Sequence, residues 1–201
     1  MYSDTDRKFY VNSVNSDYTG PTDFTSEASL FSPVSGYVRF PLSNSPKEEN
    51  SLDMPRLNVH QILVQSPSGD SFIVLWGLDC FTGKGEAVEW KDEMYNQYNQ
   101  DELFTVTRNI MVYRQDTEKR IASYTEDIGD LCIFVGENEP FCLWASDYPG
   151  LKPNSVYFAG RSSGFGVCDL PSRTIRYLSH SPLRRRLCWL PPTTQTPPSA
   201  I

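Results

Sequence analysis

Apolar residues in this chain gather in short runs, and polar segments bearing proline or glycine interrupt them. Two runs, His60-Gln61-Ile62-Leu63-Val64-Gln65 and Ser71-Phe72-Ile73-Val74-Leu75-Trp76, flank Ser66-Pro67-Ser68-Gly69-Asp70. β-Branched and aromatic residues on both sides of a short Pro/Gly connection predict a β-hairpin. Residues 109–114 and 120–124, separated by a polar turn at 115–119, predict another. Residues 131–135 and 141–145, which flank Gly136-Glu137-Asn138-Glu139-Pro140, read as two further strands. Residues 155–158, 166–169 and 174–178 continue the series, and residues 8–11 and 37–40 read as strands near the start. No segment carries a helical stripe longer than a turn. About ten short strands spaced at roughly 8–12 residues point to an all-β propeller, barrel or sandwich.

Two stretches break the pattern. Residues 43–55 read as a solvated loop, and residues 79–104, acidic and polar with Tyr95 and Tyr98 among them, read as a loop insertion. At the far end, prolines 191, 192, 197 and 198 deny a sheet its backbone donors, so residues 193–201 are expected to form a disordered Pro/Thr-rich tail.

Composition narrows the function classes. With 201 residues the chain suits one domain with a real core, and 13% aromatic content suits sheets. A net charge of −7 argues against binding nucleic acid or an anionic membrane, both of which need a basic face. Residues 1–100 hold 7 basic and 14 acidic side chains and residues 101–201 hold 11 of each, so the excess lies in the first half. No apolar stretch approaches the roughly 18 residues that span a bilayer. The acidic start, Met1-Tyr2-Ser3-Asp4-Thr5-Asp6, is unlike a signal or transit peptide. The five cysteines (80, 132, 142, 168, 188) are odd in number and contain no C-x-x-C pair. There is no N-x-S/T site either, and the expected address is the reducing cytoplasm or nucleus.

Candidate chemistry is sparse. His60 at a strand start and His180 in a Ser/Pro-rich linker are the two histidines, and no G-x-S-x-G or H-E-x-x-H motif accompanies them. Cys132 and Cys142 lie on neighbouring predicted strands and could meet at a metal, but their apolar neighbours make them core residues. Glu126-Asp127-Ile128-Gly129-Asp130 lacks calcium-loop spacing and reads as a turn. Gly160-Arg161-Ser162-Ser163-Gly164-Phe165-Gly166 lacks the Lys-Ser/Thr and the helix of a phosphate loop, and reads as a hairpin. Arg184-Arg185-Arg186 is short for a nuclear address or a phosphate contact. Catalytic, cofactor and metal residues are therefore expected to be none, with no cofactor and no enzymatic activity, and partner-binding residues are left unassigned.

One run of motifs is more specific. Residues 123–136 (Ser-Tyr-Thr-Glu-Asp-Ile-Gly-Asp-Leu-Cys-Ile-Phe-Val-Gly), residues 145–158 (Ala-Ser-Asp-Tyr-Pro-Gly-Leu-Lys-Pro-Asn-Ser-Val-Tyr-Phe) and Gly166-Val167-Cys168-Asp169-Leu170 resemble the plant domain of unknown function 295, the KIB-type β-propeller family, most closely its Brassicaceae-expanded branch. The hairpin at 59–76 and the closing Trp189-Leu190-Pro191-Pro192 resemble it as well. The resemblance implies a partial β-propeller of antiparallel short-strand blades over residues 1–192, the C-terminal portion of the domain. It further implies a non-enzymatic protein-interaction module related to the substrate-binding propeller of plant F-box proteins. This chain shows no F-box of its own, so a Skp-type adaptor is not an expected partner. The other readings are a fragment that competes with full-length relatives, and an organellar member of the family. Within the motifs, Gly129-Asp130 is expected to turn the chain into a buried strand. Pro149-Gly150 and Pro153-Asn154 are expected to shape a tight crossover, since Pro fixes φ and Gly or Asn accepts positive φ.

Overall fold

The computed structural model describes residues 41–46, 58–88, 103–160, 164–179 and 189–192, together with the backbones of short strands between residues 2 and 39. The described chain is built from strands in three sheets. In the first, β1 (Tyr2–Ser3), β2 (Lys8–Asn12), β3 (Tyr18–Thr22) and β4 (Val38–Arg39) pair in sequence order, all antiparallel.

The second sheet has the order β5-β10-β9-β7-β6, with β5 (Leu42–Ser43), β6 (Asn58–Gln65), β7 (Ser71–Thr82), β9 (Leu103–Asp116) and β10 (Ile121–Thr125). The short β8 (Ala87–Val88) pairs with β7. Both hairpins predicted here are present. Ser66 and Asp70 close the first, with Gly69 at φ 94° where a side chain would be strained. The predicted loop insertion at 79–104 is narrower than expected, because β7 runs on to Thr82 and β9 begins at Leu103. Phe81 and Phe104 stack across that extension at 5.4 Å, a non-local pair that local composition conceals. Residues 89–102 lie outside the described residues.

The third sheet has the order β12-β11-β13-β14-β15: β11 (Leu131–Gly136), β12 (Phe141–Trp144), β13 (Ser155–Gly160), β14 (Gly164–Asp169) and β15 (Thr174–Ser179). Here β11 and β13 are parallel, as are β5 and β10, while every other pairing is antiparallel. Parallel neighbours need a long return path. It runs through β12, a 3-10 turn at Ala145–Asp147, and the Tyr-Pro-Gly-Leu-Lys-Pro-Asn segment. Gly150 (φ 96°) and Asn154 (φ 53°) take the positive φ expected of them. The Asn154 side chain accepts the Ile128 N–H (2.9 Å) and donates to the Glu126 carbonyl (3.0 Å), tying the crossover to the turn before β11.

The second and third sheets stack face to face. Val64, Phe72, Val74, Trp76, Ile110 and Val112 from one meet Ile133, Val135, Cys142, Val156, Phe158 and Cys168 from the other in a single core. Each sheet also buries its outer face, around Ile73, Met111 and Tyr113 on one and Cys132, Phe134 and Tyr157 on the other. Burial on both faces explains why β7 and β11 read as continuous apolar runs instead of alternating ones.

A polar clasp joins the stacked sheets. Arg108 is an extra residue in β9, so the register with β7 shifts between Gly77 and Leu78. At that bulge the buried Thr107 donates its N–H to Tyr177 Oη on β15 (2.8 Å), and Thr107 Oγ1 accepts the Trp76 indole N–H (3.0 Å). Tyr177→Phe is expected to strand the Thr107 N–H and lower stability by about 1–3 kcal/mol, read as a reduced urea midpoint at unchanged slope. A midpoint equal to the parent's would show that water reaches this amide.

Candidate interaction surface

Cys132 and Cys142, which the sequence placed on neighbouring strands, face opposite ways. Cys132 pairs across the ladder with Leu143, and Ile133 with Cys142. With a side-chain period of two, the two thiols point to opposite faces: Cys132 joins the outer cluster and Cys142 the inter-sheet core. Cys132 Sγ donates to the Lys152 carbonyl (3.0 Å), a structural contact in the crossover. His60 lies on β6 with solvent access, its ring 6.0 Å from Trp76 on the core-facing side of that strand. Partial burial pulls its imidazole below the ordinary histidine value, and the Glu137 carboxylate pulls it back up. His180, Cys188 and Arg184-Arg185-Arg186 lie outside the described residues.

The acidic run at 126–130 serves as a turn. Gly129 donates its N–H to Asp127 Oδ1 (2.8 Å) and adopts φ 66°, while Ile128 plugs the core at 3% exposure. Asp130 Oδ2 accepts the Ser146 hydroxyl (2.6 Å), anchoring the 3-10 turn. Residues 160 and 164 close the β13–β14 hairpin as a paired position, as expected for that glycine-rich link, with residues 161–163 outside the described set.

The four described thiols are unpaired and buried. Burial pushes Cys132 up to about 11 and Cys142 and Cys168 up to about 12, and raises Cys80 as well. A thiolate is the reactive form, so these groups are inert in the folded state. The linkage has a definite sign. Near pH 9 an unfolded thiol begins to lose its proton while the folded one keeps it. The stability this confers is therefore complete below about pH 9 and is lost as pH rises through 11 to 12. We expect a thiol-exchange reagent at pH 8 to label these four only as fast as the protein unfolds. The urea midpoint should fall above pH 9, less steeply in Cys142→Ala. Rapid labelling of the native chain would overturn this account.

Two further features of the architecture stand out. The first is the end of the β7–β9 pair, which runs on past the ends of β6 and β10 and carries β8. It presents exposed Lys84 and Glu86. From residue 79 to residue 102 the sequence has seven carboxylates against Lys84 and Lys91, which is most of the chain's net charge. The second is the outer face of the third sheet. Phe134 stacks between Phe141 (4.8 Å) and Tyr157 (4.9 Å), and the ring of Trp189 stands edge-on to Phe134 at 5.3 Å. The sequence flagged Trp189 only through family resemblance; its contacts are non-local and leave no periodic signal.

Comparison with known proteins accords with this architecture. The family model of the KIB1-4 β-propeller matches residues 1–179. Neither the curated proteins nor the solved structures yield a match.

Proposed function

The chain belongs to the KIB1-4 β-propeller family, and from that premise we propose that it is a non-enzymatic protein-interaction module that uses its stacked sheets as a rigid platform. The finer reading is a binding surface of the kind that plant F-box proteins use to hold substrates. The observation that carries it is the fate of the reactive groups. The described thiols are buried in the core, with Cys132 and Cys142 on different faces of the third sheet. The charge of residues 79–102 favours a protein partner with a basic face over nucleic acid or an anionic membrane. Free, protonated thiols favour a reducing compartment, the cytoplasm or nucleus.

Reconstitution from purified components tests this. A candidate partner cross-linked to the chain is expressed separately and titrated, and a saturable 1:1 complex weakened by salt is the expected result. Glu86→Lys should weaken that complex about tenfold without moving the thermal midpoint. Purified Skp-type adaptor is titrated in parallel, and no binding is expected. Turnover of a small molecule by the purified chain that is lost on a Cys-to-Ala or His60→Gln change would defeat the non-enzymatic reading.

A further inference from the structure

We infer that the outer face of the third sheet is a recognition socket for an extended peptide segment bearing tryptophan, and that the chain fills it in cis with its own Trp189. The socket has four features of a peptide site. Its floor is rigid, because Phe141, Phe134 and Tyr157 form a stacked ladder across β12, β11 and β13. The indole meets that floor and Phe165 edge-on, with ring centroids 5.3 Å from Phe134, 6.3 Å from Tyr157 and 6.2 Å from Phe165. The indole N–H donates to the Val135 carbonyl (3.1 Å), a polar contact that phenylalanine could not make.

The fourth feature is backbone capture. One side chain, Asn138 in the β11–β12 turn, accepts the Trp189 N–H (3.2 Å) and donates to the Trp189 carbonyl (2.8 Å). A residue in a paired strand receives the same two bonds from its neighbour, so Asn138 reads main chain as a sheet edge does. Gly136 keeps the approach open. A Cβ there would lie 3.0 Å from the Ala159 carbonyl oxygen, 3.3 Å from Asn138 Oδ1 and 3.7 Å from the Trp189 ring.

Recognition is one residue deep. Leu190 is 83% exposed, and Pro191 and Pro192 stand in solvent. Those prolines hold the backbone extended and lower the entropy lost on docking. The socket lies within residues 1–179, which the family model matches, and its occupant follows ten residues later. An outside segment of the same chemistry must displace a tethered competitor present at high effective concentration. The biological use of such a displacement rests on the interaction-module reading; the socket itself is tested without any partner.

The probe is a fluorescent peptide of residues 189–194, titrated by anisotropy against the full chain. Trp189→Ala, which empties the socket, is expected to bind it saturably and at least tenfold more tightly than the parent does. Asn138→Ala added to Trp189→Ala should remove at least tenfold of that affinity, and a peptide with alanine for tryptophan should not bind. Trp189→Phe keeps an apolar plug but lacks the indole donor; if Trp189→Ala does not fold, it supplies the titration, with a smaller gain over the parent expected. Equal affinity of the parent and the folded variants, or no saturable binding to either variant, overturns the socket. Neither result bears on whether another surface of the module binds a protein.

Discussion

Phe158→Ala is expected to destabilise the protein by about 4 kcal/mol, the largest loss from any single truncation considered in this core. Phe158 is fully buried in β13 and occupies the middle of the inter-sheet core. Its ring lies 5.9 Å from Trp76 on the opposite sheet and 5.5 Å, edge-on, from Tyr177 on β15. Both of those residues also hold the clasp at Thr107. Removing the ring leaves a cavity bordered by strands that backbone ladders hold in place, so little collapse can fill it. Urea unfolding followed by fluorescence reads the effect as a lowered midpoint. A loss under about 1 kcal/mol would mean that the two sheets are not jointly stabilised by this contact.

Gly166→Ala is expected to cost about 3 kcal/mol although it adds only one methyl group. Gly166 is buried in β14 where the register with β15 shifts. A Cβ there would sit 2.5 Å from Phe158 Cζ and 2.6 Å from the Arg176 carbonyl oxygen. The first obstacle is a ring locked in the core and the second is backbone, so neither gives way cheaply. The two substitutions should be coupled. Phe158→Ala removes one obstacle but leaves the Arg176 oxygen, so the double variant should fall short of the summed losses by about 1 kcal/mol. Strict additivity would show that the backbone contact alone sets the penalty at Gly166.

Much of the local structure was legible in the sequence. The hairpins of the second sheet follow from apolar runs and the chemistry of their turns, and the positive φ at Gly69, Gly150 and Asn154 falls where Gly or Asn stands ready to accept it. The strands that extend past their apolar cores were hidden. Phe81 and Phe104 are isolated aromatics within polar surroundings, and only their pairing across β7 and β9 marks them as strand residues. Cys132 and Cys142 show the same limit for the site. Adjacent strands brought them near one another in expectation, whereas the register sends them to opposite faces.

The sequence by itself determined where the strand cores lie and where the chain turns between them, because those properties depend on backbone preferences over a few residues, and its motifs marked the family. Only the tertiary structure decided that β11 and β13 run parallel, that two sheets share one core, and that Trp189 returns to Asn138 across the chain. These are contacts between residues far apart in sequence. Which face finds which partner is settled by complementary packing of whole sheets and by the pairing of buried polar groups, neither of which leaves a local pattern.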